Sequence, residues 1–528
     1  MVRCGPHKEV VEKNKHLIRQ FAFSGTSKFS TSEKVELLSS VMAGSALTAL
    51  DLTNTSLRCD ETEAIARTLE TNSTLTTLML ENNVIAEIEV QTLAKALKTN
   101  TVLTSLSLTE IQTGNHGAQV LSEILRANST LKILDLTGNG IEELGAQALA
   151  EALKTNTTLT RLDLGLNSIG CDGAMALSSL GACSILKNGA EVLAEALKVN
   201  STLTDLDMGH NPIECHGAKA QAEALRINST LTKLDLGIAS IADDGAVALA
   251  DALKANSALV ALHLYHNSIG EIGGNKIEDQ GVQALVSALK INSALSSLGL
   301  CGNFIEDQGA QELAELLKTN STLTMLDLTS NYIEWSGAQA LAEPLKTNSA
   351  LTTLELRCND IGDRGALALA EALKINTTLT DLDLDLGGNS IGHDGAKMLA
   401  EALKSNSVLT NLDLSDNSIK CDGAEVLAQA LKFNLPLTCL HLGSNGIGDD
   451  GAQALAEALK TNSVLTTLEL WSNMIGANGA VALAMSLKIN STLSILNLMD
   501  NPIEHNGTLA LNEVLKTNPT VSISYDSN

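Results

Sequence analysis

One line recurs through this chain and leaves few folds open to it: Leu-x-x-Leu-x-Leu-x-x-Asn-x-Ile. Its first leucine stands at Leu47, Leu75, Leu103, Leu131, Leu159, Leu203, Leu231, Leu259, Leu295, Leu323, Leu351, Leu379, Leu409, Leu437, Leu465 and Leu493, sixteen units in 528 residues. Most steps are 28 residues; the exceptions are 44 after Leu159, 36 after Leu259 and 30 after Leu379. A unit this short cannot bury its apolar face alone, so a fixed period implies stacked units that share one continuous core.

Each unit holds two periods. Leu323, Leu326 and Leu328 mark a short strand, and "GAQALAEPLKTN" or "GAQALAEALKTN" spaces its apolar residues as a helix of about three turns. An Asp just ahead of Gly-Ala (Asp172, Asp244, Asp394, Asp422, Asp450) is expected to cap the exposed N–H groups of the helix start. Lysines such as Lys154, Lys318 and Lys460 close the helices, where a cation suits the negative end, and Glu151 and Glu371 are placed to pair with Lys154 and Lys374. The Asn that follows, such as Asn320, is expected to end the helix in the left-handed conformation. Pro344 predicts a local distortion inside one helix. The Asn before Ile, from Asn83 to Asn501, is a different residue in a different place. It follows the strand, where its amide can satisfy backbone groups of the adjacent turn. Thr55, Ile111 and Ala239 break this series, and looser turns are expected there.

Stacked strands lie about 4.8 Å apart and helices nearer about 10 Å. An array with strands on one side and helices on the other must therefore curve. The fold expected is an α/β solenoid of about sixteen 28-residue units, with a parallel sheet on the concave face and helices on the convex face. The line "LTTLELRCNDIGDRGALALAEALKINTT", from Leu351, resembles a leucine-rich repeat of the ribonuclease-inhibitor type. It is similar to the repeats of Ran GTPase-activating protein and of NOD-like receptors, and the resemblance covers residues 35 to 528. It implies a horseshoe that works by binding a protein, and it leaves the partner open. The same resemblance offers two alternatives to a plain scaffold. One is a regulator that activates a GTPase. The other is a signalling or innate-immune regulator without a nucleotide-binding module, because no G-x-x-x-x-G-K-[ST] occurs.

Residues 1–46 fall outside the period, and Glu33 to Ala46 reads as a capping helix; Phe21, Phe23 and Phe29 just ahead of it are expected to cover the first unit's open core. The array runs over 47–528. It carries an irregular unit at 178–202, read either as a functional loop or as a gene-model error, and a loop insertion near 270–277.

The formal net charge is −26, which disfavours nucleic acid and anionic membranes and favours a basic protein partner. No run of eighteen apolar residues occurs, and the charged start has no leader-like apolar stretch, so a cytoplasmic or nuclear protein is expected. Nine scattered cysteines without a CxxC read as reduced thiols. Asn320-Ser321-Thr322 matches a glycosylation acceptor, but its recurrence is the period of the array. No catalytic motif, metal-ligand spacing, cofactor site or small-molecule site emerges, so the chain is read as a non-enzyme. The oligomeric state stays open.

Candidate binding residues come from the columns that the repeat creates. The third and fifth positions of each unit point to the open side of the sheet. The fifth is acidic in ten of sixteen units, including Asp163, Asp207 and Asp235 in one run and Asp327, Glu355, Asp383 and Asp413 in another. Carboxylates about 4.8 Å apart repel by roughly 1 kcal/mol per neighbouring pair in water, which a basic partner would relieve. Aspartate is also a common choice here in this repeat type, so the column reads either as consensus or as a docking surface. Tyr265, Arg357 and Trp471 stand at the strand exit. Phe304 and Tyr332 follow in the tenth position with Trp335 nearby, either as interface anchors or as rings packed on one another. The centre of binding is expected in the eighth to eleventh units.

Overall fold

The computed structural model describes residues 2–4, 19–23, 31–43, 46–85, 87–170, 189–267, 280–379, 381–383, 389–518 and 520–526. The chain divides into two compact units, Met1–Asn267 and Ser268–Asn528. In the first, ten described strands from Val2–Cys4 to Ala261–His263 pair in chain order, all parallel. In the second, nine described strands from Ser297–Gly299 to Ser522–Ser524 do the same. A helix follows almost every strand, and successive helices pack side by side. This is an α/β repeat solenoid.

The repeat pattern explains the layers. Leu323, Leu326, Leu328, Ile333, Ala338, Leu341, Ala342 and Leu345 are all buried, so strand, turn and helix of one repeat feed one core. Alanines at Ala338 and Ala342 sit where a larger side chain would hold neighbouring helices apart, and the leucines supply about 1.5–3 kcal/mol of burial each. The strand Gln20–Phe23 adds a member ahead of the first Leu-x-x-Leu-x-Leu unit: the fully buried Phe21 pairs with Leu50 across the sheet, and the helix Thr31–Met42 follows it. The side chains of Phe23 and Phe29, Asp172, the first part of the irregular unit at 178–202 and the insertion at 270–277 lie outside the described residues.

Three local expectations are corrected. Asn320 is not left-handed. It is buried, its Oδ1 accepts from the N–H of Thr322 (3.0 Å) and Leu323 (2.8 Å), and its Nδ2 donates to the Leu289 carbonyl of the preceding repeat (3.0 Å). The left-handed residue is instead the one before the strand-exit position, which is Asn in most repeats and Thr55, Ile111 or Ala239 in three; it runs from Asn54 (φ 57°) to Asp500 (φ 56°) and includes Leu166 and Ile238.

The second correction concerns caps. Asp244, Asp394, Asp422 and Asp450 lie inside the first helical turn, and their own helices have no side-chain cap bond. The residue one place earlier caps the next repeat. Oδ1 of Asp307 accepts from Glu334 N and Gly337 N, that of Asp363 from Gly392 N and Gly395 N, and that of Asp449 from Gly476 N and Gly479 N, all at 2.7–2.9 Å. Asn115 does the same for Glu142 and Gly145. An acceptor two residues before the glycine faces sideways along the stack, which a single-helix view of capping misses.

The third correction is to the looser turns. Thr55, Ile111 and Ala239 are buried, and each N–H is held by the next repeat's asparagine, at 3.2, 3.2 and 2.9 Å. The predicted distortion at Pro344 is confined to the last turn of the helix Trp335–Leu345. There Lys346 N turns to Glu343 O, where Lys318 N in the preceding repeat reaches four residues back to Ala314 O. The pairs Lys154–Glu151 and Lys374–Glu371 form as expected.

Candidate binding face

The strand residues are three per repeat, with the middle leucine buried and its neighbours turned to the open side of the sheet. Parallel register without slip then aligns equal positions. Asp135, Asp163, Asp207, Asp235 and His263 form one row in the first unit. Asp327, Glu355, Asp383, Asp413, His441 and Glu469 form the other in the second unit. The two runs expected to share a centre thus belong to different units, and the side chain of Asp383 lies outside the described residues.

Much of each carboxylate is spent locally. Asp207 accepts from Gly209 N (2.8 Å), Asp235 from Gly237 N (2.9 Å), Asp327 from Thr329 N (2.9 Å) and Asp413 from Ser415 N (2.7 Å). These bonds close the strand exit, so the aspartates are partly structural. In each row a histidine follows the run of carboxylates: His263 Nδ1 lies 3.1 Å from Asp235, and His441 Nδ1 lies 3.3 Å from Asp413. Arg161 reaches both Asp163 (3.0 Å) and Asp205 (3.6 Å).

The electrostatics follow burial. Asp163 is 6% exposed, and burial lifts its carboxyl to about 6. Arg161 opposes that shift, while Asp135 and Asp207 add to it. Asp207 is raised for the same first reason, with Asp235 adding. At Asp413 burial pushes upward too, but hydrogen bonds from His441 and Ser415 outweigh it and hold the carboxyl below its usual value. In water-excluded surroundings a row of carboxylates is costly, and a cation on the sheet would offset that cost.

The aromatic candidates separate into three places. Tyr265 lies flat on the backbone of Gly237, where an added Cβ would come within 2.1 Å of its ring, with His210 edge-on at 6.2 Å. Trp471 lies on Gly443 in the same way, again at 2.1 Å. In both cases the glycine stands 28 residues before the ring, a signal present in the sequence and missed there. Phe304 and Tyr332 stack at 5.6 Å on the strand-to-helix edge, Tyr332 being 57% exposed. Arg357 is exposed at the strand exit. Trp335 does not join the Phe304–Tyr332 stack. It opens the helix Trp335–Leu345, on the helical layer, beneath the Arg364 guanidinium at 5.4 Å.

Among the described residues no histidine, cysteine, aspartate and glutamate group has the arrangement of a metal site, and the six described cysteine side chains are free. Burial, followed by Asp327, raises the Cys301 thiol to about 11, so it stays protonated at neutral pH.

An array of short parallel strands, most with a buried central leucine and followed by a strand-exit asparagine, defines a repeat-solenoid protein. The leucine-rich-repeat family model matches residues 127–150, 155–178, 199–220, 228–250, 319–342, 347–370, 376–400, 405–428, 433–456 and 461–484. The chain is a leucine-rich-repeat protein. Among solved structures it is similar to an internalin (inlF) from Listeria monocytogenes, at 20% identity and TM-score 0.43, covering 77% of this chain and 89% of that one. It is also similar to TLR13 in its complex with ssRNA13, at 16% identity and TM-score 0.44, covering 98% and 80%. A third likeness, to the leiomodin-1 actin-binding site 2, has 24% identity and TM-score 0.25, covering 31% of this chain and 88% of that one. No curated protein matches. Leucine-rich-repeat proteins generally bind other proteins, and their fold is typically an interaction scaffold rather than an enzyme. No helix among the described residues is long and apolar enough to cross a membrane.

Proposed function

We propose that the chain is a non-enzymatic scaffold that holds a protein partner through the open strand face of its units, with the partner's basic side chains meeting the carboxylate rows. The observation that carries this reading is the register that brings Asp135, Asp163, Asp207 and Asp235, and separately Asp327, Glu355, Asp383 and Asp413, side by side on one face of their sheets. Tyr265 and Trp471, seated on glycines at the strand exit, and Arg357 at the same position of its own repeat would anchor the partner's contacts. Phe304 and Tyr332 extend that rim along the loop edge. A partner with a basic surface also matches the net charge of −26, and it fits a protein of the cytoplasm or nucleus.

The test is a pulldown from extract of the source cells with the wild-type chain and with Asp327→Lys/Glu355→Lys/Asp383→Lys. The triple variant should lose a partner that the wild type recovers in low salt. Equal recovery by both would remove the carboxylate row from the account.

A further inference from the structure

Trp335 occupies a helix position, two before the repeat's Gly-Ala, that holds the capping carboxylates Asp307, Asp363 and Asp449 in other repeats. An indole has no acceptor for those N–H groups. The next helix, Gly362–Leu373, accordingly opens on a left-handed Gly362 (φ 59°) and has no side-chain cap. A cap has been exchanged for a large ring left 42% exposed. Local rules broken without a structural return point to a site.

The surroundings of that ring are specific. A groove of about 440 Å3 runs between the helices Trp335–Leu345 and Gly362–Leu373, walled by Trp335, Gln339, Arg364, Leu367 and Ala368. Leu367 is 42% exposed and stands where the two preceding repeats carry Gln311 and Gln339. The two carboxylates on the groove, Glu343 and Glu371, are each taken by a lysine at 2.6 Å, Lys346 and Lys374. Arg364 has no ion pair among the described residues; its contact is the face of Trp335. The ring restrains the guanidinium, so little freedom remains to be lost when its fork meets a planar anion. In a chain of net charge −26, this groove offers an apolar wall beside an uncompensated cation.

We propose that this groove binds a short acidic peptide segment of another protein, with an apolar side chain against Trp335 and Leu367 and a carboxylate on Arg364. The choice of occupant rests on charge complementarity. The site is independent of the strand face, since it lies on the helical layer and selects the opposite charge.

The experiment uses the full chain and two fluorescein-labelled peptides read by anisotropy, one alternating leucine and glutamate and one alternating leucine and lysine. Three variants place residues that neighbouring repeats already carry: Trp335→Asp, Arg364→Asp and Leu367→Gln. All should fold, as a thermal melt checks. The Leu-Glu peptide should bind the wild type, lose at least about tenfold in affinity with each variant, and bind better than the Leu-Lys peptide. Binding that is absent from the wild type, unchanged in the variants, or stronger for the Leu-Lys peptide would overturn the proposal. So would sedimentation showing wild-type dimers that Leu367→Gln dissolves, which would assign the groove to a second copy. Wild-type binding to phosphatidylserine vesicles that Leu367→Gln abolishes would equally overturn it in favour of a lipid surface.

Discussion

A single asparagine side chain at the strand exit does the work of several backbone groups. Asn331 Oδ1 accepts from Asn303 N and Ile305 N of the preceding repeat, and its Nδ2 donates to the carbonyls of Leu300, Leu328 and Thr329. Alanine there would orphan buried donors and acceptors in two repeats at once. Asn331→Ala should therefore destabilise the second unit by about 2–4 kcal/mol, measured by urea unfolding. The carboxylates behave differently, because burial works against them. Asp163 carries a raised pKa of about 6, so the folded chain binds that proton more tightly than the unfolded chain does. The resulting penalty is fully present above about pH 6 and is relieved as pH falls toward 4. Asp163→Asn should then gain about 1–2 kcal/mol at pH 7.5 and nothing at pH 4, in paired urea titrations at the two pH values. The Asn column was legible in the sequence because it is periodic. The local use of the aspartates was not, because their bonds to the residue two ahead depend on the strand-exit turn and leave no mark in composition.

At the scale of the element, the helix start has two forms. Where the preceding repeat supplies an Asp or Asn two before its glycine, the chain enters extended, as at Glu142, Glu334, Gly392 and Gly476. Where that residue is Cys215, Trp335, His393 or Cys421, the chain enters through a left-handed residue, at Ala242, Gly362, Lys420 and Gly448. The helix His505–Thr517 follows Ala477 and enters extended without either device. Asp363→Ala should cost about 1 kcal/mol, whereas Asp394→Ala should stay within about 0.5 kcal/mol, read by urea unfolding. Ala242→Gly, at φ 54°, should gain about 0.5–1 kcal/mol, because glycine accepts that conformation freely. Secondary structure was readable from two superposed periods, and helices and strands fall where those periods place them. Cap assignment was off by one residue, because a stacked helix is capped by its neighbour and the neighbour is 28 residues away in sequence.

At the scale of the whole molecule, the acidic excess alone would attract any basic partner, so what distinguishes a binding face is which side of the layers does the attracting. Register places carboxylates on the strand side, while the helical side pairs its own: Lys404 with Glu401 at 2.6 Å, and Lys460 with Glu457. That difference could not be read from the charge total; it needed the alignment of rows across strands. The seats of Tyr265 and Trp471 were within reach of the sequence, as glycines one full repeat earlier, once equal positions of successive repeats are aligned. The most direct measurement is the affinity of an arginine-rich peptide, by fluorescence anisotropy at 50 and 200 mM salt, between which the Debye length falls from about 14 to about 7 Å, for three chains of matched folding: wild type, Asp327→Lys/Glu355→Lys, and Glu401→Lys/Glu457→Lys. The two variants carry the same net charge. At least about a tenfold loss is expected for the strand-face pair, shrinking with salt, and little change for the helical pair. Equal losses from both faces, or none from the strand face, would contradict that expectation.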